Sequence, residues 1–553
     1  MGARLQAIRA AIVTTLCLMM AGAHAAPMTP DPTGMWYDPA QPGWGLSVTQ
    51  QGDNIFAVLF VYDANHIPQW FVASNVVDTG HFANTLVGEA YAGPLYRTTG
   101  AAFTQPGDTT PLSATPVGSI QIGYVQPTGN LSVSYTVNGT TVNKVVTPQT
   151  WGSNSALLTG VYGGGFNGGI FIDSTPGCQP PALLQGIPDF NIDTTTTPDA
   201  LRLTWSQPNN VYCTVSGTYA QQGQLGTFAG PVMCGPALPG AAPTNMGSLS
   251  IAQMTMGPGG FSGYVNYNSS VVDGGSCGVG GRIGGIERGS IPSAQSPILS
   301  PDPTGMWYEA AHPGWGMNVT QQGGTIFAVI FVYDGANAPR WYVASQVLDA
   351  GRTWNASDGF SGIPGELHSG TLYQANGAFF GDETDTMAMH ANAVGTFSMA
   401  YTSDNPRTLS IRYNVGEITV VKNVQAQTWT SNVARLSGTY AGGVSISPCV
   451  CFPELCDAPI SSGLPLQIAV APGPSPSTVQ LAWNAPVGAC TYTATYSQDG
   501  QLGAMQGPVA CDGLPSELPL TVTNVTVGAS GFSGVATLPG YCPGSIGGVR
   551  VVQ

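Results

Sequence analysis

The stretch Pro30–Val77 is written twice in this chain. Pro301–Leu348 matches it at 32 of 48 positions, beginning with the identical octet Pro-Asp-Pro-Thr-Gly-Met-Trp-Tyr and running through Gly-Trp-Gly, Val-Thr-Gln-Gln-Gly and Phe-Val-Tyr-Asp. A repeat this long restricts the chain to folds whose unit closes on itself. It also filters function, because a side chain proposed for chemistry in one copy has to be sought at the matching place in the other. The copies continue: Gly88–Phe103 matches Gly365–Phe380, Leu131–Tyr135 matches Leu409–Tyr413, and each half reaches a Gln-Thr-Trp signature, at Trp151 and Trp429. Cysteine-bearing segments follow, with Leu201–Trp205 against Val479–Trp483, Cys213–Cys234 against Cys490–Cys511, and Phe-Ser-Gly at Phe261 and Phe532. The expected plan is a signal segment 1–26, module A1 27–155, module B1 156–288, a linker 289–300, module A2 301–433 and module B2 434–553. The linker is uncharged and rich in Ser and Pro, so the two halves are expected to move relative to each other.

The periodicity is that of an all-β chain. Ile55–Tyr62 and Ile326–Tyr333 are β-branched and aromatic runs without a helical period. Each is followed by turn chemistry, Asp-Ala-Asn-His or Asp-Gly-Ala-Asn, and then by Pro-x-Trp opening the next run, which reads as a hairpin. Gln50–Asn54 reads as another tight turn, since Gly and Asn tolerate positive φ. Module A is therefore expected to be a meander of about six to nine short strands, closed as a small barrel or sandwich because closure removes exposed edges. In module B, Cys213–Cys234 is nearly symmetrical about Gln221-Gln-Gly-Gln224. Folded as a hairpin, it sets its two cysteines opposite each other.

Export follows from the N-terminus. Arg4 and Arg9 precede the largely apolar run Ala11–Met20 and the small residues Ala21, Gly22 and Ala23, the layout of a cleavable secretory signal. No later run approaches the roughly 20 apolar residues of a spanning helix. The whole chain has 14 basic and 29 acidic residues; without Arg4 and Arg9 it has 12, a net charge of −17, and its two lysines are Lys144 and Lys422. Such a balance excludes nucleic acid, whose binding needs basic side chains to displace counterions, and disfavours anionic lipid. Charged residues make up 8% of the chain while Gly and Pro number 75 and 44, which suits turn-rich β structure. Ten cysteines survive signal removal, and an even count in an exported chain points to disulfides. The expected bridges are Cys213 with Cys234, Cys490 with Cys511 and Cys178 with Cys277. In B2, one of Cys449, Cys451 and Cys456 takes Cys542, and the other two pair. Zinc at Cys449-x-Cys451-x4-Cys456 would need thiols kept reduced, so no metal is expected.

Gly34-Met-Trp-Tyr37, Gly43-Trp-Gly45, Gln51-Gly52, Phe60-Val-Tyr-Asp63, Pro68-Gln-Trp70 and Leu95–Gly100 together resemble a repeated domain of exported proteins in Gram-negative proteobacteria, mostly described as hypothetical. Module B, ending Gly281–Arg288, is similar to a small disulfide domain that accompanies it. The resemblance covers nearly all of the mature chain. It implies a secreted, periplasmic or cell-surface location and a modular build, and it carries no catalytic residue or substrate.

Gly274-Gly-Ser276-Cys-Gly278 matches G-x-S-x-G in form, but a nucleophile elbow needs a strand-to-helix turn, and the second copy reads Gly540-Tyr-Cys-Pro-Gly544 without serine. His66, His81, His312, His368 and His390 are unmatched between the copies and read as loop residues. Asp382-Glu-Thr-Asp385 lacks the ordered spacing of a calcium loop. Paired carboxylates recur: Asp63 with Asp334, Asp78 with Asp349, Glu89 with Glu366. A glycosidase needs two such groups roughly 5–10 Å apart, yet Asp63 and Asp78 stand where turn-capping aspartates stand, which leaves Glu89 and Glu366 as the freest candidates. The aromatics are also matched: Trp36, Tyr37, Trp44, Tyr62 and Trp70 answer to Trp307, Tyr308, Trp315, Tyr333 and Trp341. They could form platforms on which sugar rings stack; the competing reading, favoured by aromatic burial in small β domains, makes them core. Trp44, between Gly43 and Gly45, is expected to be the most exposed, since flanking glycines let a ligand approach.

These features point to an exported, non-catalytic β-module protein binding extracellular or envelope material, polysaccharide favoured, with no cofactor. Two tandem A modules would then give two weak sites joined by avidity. The alternatives are a secreted carboxylate-dependent hydrolase and a structural, self-associating surface protein.

Overall fold

The computed structural model describes residues 26–551 apart from 172–188, 289–297, 449–465 and shorter stretches of one to six residues. The signal segment, Cys178, Cys449, Cys451, Cys456 and most of the linker therefore lie outside the described residues.

Each module closes into an eight-stranded antiparallel barrel. The four run from Gly34–Tyr37 to Thr140–Pro148, from Gly160–Phe171 to Ser276–Glu287, from Gly305–Tyr308 to Ile418–Ala426, and from Gly438–Pro448 to Tyr541–Arg550. Strands pair in chain order and the first pairs with the last. Eight strands leave an interior just wide enough for side chains, and apolar side chains fill it. In Asn130–Val137 burial alternates strictly, with Leu131, Val133, Tyr135 and Val137 inside and Ser132, Ser134 and Thr136 less buried. That alternation is the reverse of a lipid-facing barrel, whose outer face carries the apolar band. Among the described residues no helix is long and apolar enough to cross a membrane.

The strand Asn54–Tyr62 is buried along almost its whole length. Ile55, Ala57, Leu59 and Val61 point into the A1 barrel. Phe56, Val58, Phe60 and Tyr62 point out, into a second core shared with A2, where Phe327, Val329, Phe331 and Tyr333 of Thr325–Tyr333 meet them. A strand covered on both faces reads as a continuous apolar run, which is why this segment shows no alternation.

The halves are thus packed together, contrary to the expected mobility across the linker. Its last residues are docked as well: Leu299 is buried in the A2 core and its carbonyl accepts from Gln321 Nε2 at 3.1 Å. The barrels also exchange loops. Phe103 of A1 packs against Tyr342 and Tyr413 of A2, and Phe380 of A2 packs against Phe71 and Tyr135 of A1. Hydrogen bonds repeat the exchange. Gln51 Nε2 donates to the Gln427 carbonyl and Gln51 Oε1 accepts from Trp429 N, while Gln322 does the same with Gln149 and Trp151. The Gln-Thr-Trp signature of each half is read by the Gln-Gln-Gly hairpin of the other.

In the B barrels, Cys213 faces Cys234 and Cys490 faces Cys511 across neighbouring strands, and both pairs are bridged, with Cα separations of 4.2 and 4.0 Å. Cys542 is also disulfide-bonded.

Candidate ligand cavity at the four-barrel junction

The aromatic residues expected to form platforms are mostly interior. Trp36 and Trp44 belong to the A1 core, Trp307 and Trp315 to the A2 core, and Trp70 and Trp341 to the core between them. All six are 4–6% exposed. Trp44 is therefore a correction: it is buried, and its indole N–H donates to Tyr135 Oη at 3.1 Å, as Trp315 does to Tyr413 Oη at 3.0 Å. Gly43 serves the backbone rather than a ligand. It has φ +103°, and a Cβ there would come within 3.0 Å of the Tyr62 ring. The indoles of Trp36 and Trp307 donate to the Pro32 and Pro303 carbonyls, which accounts for part of the Pro-Asp-Pro-Thr-Gly-Met-Trp motif. Tyr62 and Tyr333 are buried too, so Tyr37 and Tyr308 alone of the ten reach solvent, at 37% and 36%.

The matched carboxylates are mostly occupied by turns. Asp63 Oδ1 accepts from the backbone N–H of Asn65 and Ile67, and Asp334 Oδ1 from Ala336 and Ala338, with Arg340 paired to Asp334 Oδ2 at 2.7 Å. Asp78 and Asp349 cap Gly80 and Gly351 in the same way. Glu89 is exposed beside the Tyr91 hydroxyl, and Glu366 is half-buried on the other A barrel. Ser276 opens a β strand, not a strand-to-helix turn. In the acidic loop, Asp382 and Asp385 accept backbone N–H groups of Thr384, Phe379 and Met387. The two lysines stand midway along equivalent strands, Thr140–Pro148 and Ile418–Ala426, Lys144 on Asp38 at 2.6 Å and Lys422 on Glu309, each over its tryptophan ring.

Chemistry-bearing side chains instead converge where all four barrels meet, around a partly open cavity of about 330 Å³. Its wall is paired across the repeat: Asp31 with Asp302, Gln50 with Gln321, Gln224 with Gln501. Ser262, Ser533, Phe261 and Phe532 border it as well, the two phenylalanine rings belonging to the B1 and B2 cores. Hairpins position these groups. Gln224, at the tip of the cystine hairpin of B1, donates to the Gln321 carbonyl of A2 at 3.1 Å, and Gln501 of B2 donates to the Gln50 carbonyl of A1 at 3.0 Å. Asp31 and Asp302 each accept the N–H two residues on, from Thr33 and Thr304. Asp302 and Glu287 stand on the same wall, and desolvation by the surrounding protein pushes both carboxyls up.

No metal-ligating cluster of three or more His, Cys, Asp or Glu occurs among the described residues. In the sequence Gln-Gln-Gly reads as a turn and Asp31 and Asp302 carry no motif of their own; their exact repetition in both copies is the signal that points to them. A scan against family models gives no match, and neither does a search of curated proteins.

Proposed function

We propose that this chain is an exported, non-catalytic protein of the Gram-negative envelope or exterior that binds saccharide material, with the junction cavity as its site. The observation that carries the reading is the duplicated wall of glutamine and aspartate residues, in a volume within the roughly 300–1,000 Å³ typical of small-ligand pockets. Amides and carboxylates suit sugar hydroxyls. A chain end or short segment of a polysaccharide fits such a space. The disulfides fit an oxidising compartment, and the resemblance to exported repeat domains agrees. Closed barrels offer no free strand edges, so edge-to-edge self-assembly has little to work with.

Glycan-array and insoluble-polysaccharide retention tests the reading. Wild type is expected to be retained, and Met256→Trp, which enlarges a residue of the cavity wall, is expected to lose retention while its thermal melt stays close to wild type. Absence of wild-type retention on every glycan, or full retention of Met256→Trp, would sink it.

A further inference from the structure

A cavity lined by matched halves would present the same wall to a ligand from either side. Two of the differences between the halves change its charge. Ser155-Ala-Leu157-Leu in one half answers to Val433-Ala-Arg435-Leu in the other, and Gly284-Gly-Ile-Glu287 answers to Gly547-Gly-Val-Arg550. Arg550 is consumed by the fold: its guanidinium donates to the carbonyls of Ser437 and Arg435 and to the Tyr440 hydroxyl. Glu287 and Arg435 both line the cavity, and they are too far apart to form an ion pair with each other. Neither side chain has a hydrogen-bond or ion-pair partner among the described residues. Gln321, on the same wall and 7% exposed, has no donor at its Oε1.

A charge held away from bulk water is costly unless a counter-charge reaches it. The wall has three carboxylates, on Asp31, Asp302 and Glu287, against the single guanidinium of Arg435. Its surplus is negative. We infer that the cavity is a single site for one compact polyhydroxylated molecule carrying an ammonium group, an amino sugar by chemical class, held in one orientation by the Glu287 and Arg435 asymmetry. This rests on the saccharide reading above and deepens it. The ammonium sits toward the carboxylates and the hydroxyls meet the carboxamides. Binding is one per chain, although the fold is duplicated.

Calorimetric titration of the full chain with glucosamine, glucose, N-acetylglucosamine and ethanolamine tests this. Glucosamine is expected to bind once per chain, about ten-fold or more tighter than glucose or N-acetylglucosamine, in line with a charge-assisted hydrogen bond. Glu287→Gln, nearly isosteric, is expected to remove most of that preference. Two glucosamines per chain, equal affinity for glucosamine and glucose, an unaffected Glu287→Gln, or no binding of any probe overturns the inference. Binding of glucose and N-acetylglucosamine without preference for the amine defeats the ammonium assignment and leaves the saccharide reading standing. Ethanolamine binding with no sugar bound keeps the cation site and defeats the saccharide reading.

Discussion

Trp70→Ala and Trp341→Ala decide whether these matched tryptophans hold the molecule together or face a ligand. Trp70 lies 5.1 Å from the Phe331 ring and 5.3 Å from Tyr333, both on the opposite barrel. Trp341 lies 5.7 Å from Phe60 and 5.5 Å from Tyr62, again across the interface. With exposures of 4% and 5%, either truncation opens a large void in a packed core. Such a change costs about 3–5 kcal/mol, a figure that includes the ~0.5–1.5 kcal/mol of favourable ring geometry. For a cooperative unit the size of two barrels, 1 kcal/mol moves the melting midpoint by ~2–4 °C, so each single variant should melt about 6–20 °C lower by scanning calorimetry. The double variant should lose less than the sum of the two, since both rings belong to one cluster and the second truncation acts on an interface already weakened. Unfolding of the two A barrels should also separate into distinct transitions as their shared core weakens. Exposed ligand platforms would behave otherwise: melting would stay within about 2 °C of wild type, as surface substitutions do, and that result would refute the packing argument.

Two further outcomes follow from the geometry. Each B-barrel cystine closes a loop with a sequence separation of 21, so Cys213→Ser with Cys234→Ser should destabilise B1 by about 3 kcal/mol; an unchanged B1 transition in non-reducing calorimetry would contradict the bridge. Arg352 grips Asp358 through two hydrogen bonds of 2.7 and 2.8 Å and pulls its carboxyl down to about 2. A folded value below the unfolded one means that the contact's contribution is present above the ordinary aspartate range and is lost as pH falls through about 2. A carboxyl NMR titration should show that low midpoint in wild type and a return toward the ordinary range in Arg352→Gln; a wild-type midpoint near 4 would refute the grip.

Much of the architecture is legible in the chain. Strand runs bounded by Gly, Asn and Asp turns give an all-β meander, and the cysteines flanking Gln221–Gln224 give the hairpin that carries a bridge. The candidate site was less legible. Trp44 between glycines looks like an exposed ring, yet the positive φ of Gly43 lets the turn close against Tyr62 and sends the indole inward to Tyr135. Asp31 and Asp302 accept the N–H two residues on, as turn aspartates do; only the approach of the B hairpins makes them cavity wall.

By itself, the sequence determined what depends on local chemistry and on repetition: strands, turns, four modules and the pairing of Cys213 with Cys234 and Cys490 with Cys511. Tertiary structure decided what depends on which outer faces meet. The apolar outer positions of Asn54–Tyr62 could have faced solvent, a ligand or another barrel, and nothing in their periodicity separates these. Burial against the matching strand Thr325–Tyr333 settles it, because two apolar faces of one chain lose more water by covering each other than by staying apart. That same packing gathers Asp31, Asp302, Glu287 and Arg435 around one cavity, from positions spread across more than 400 residues.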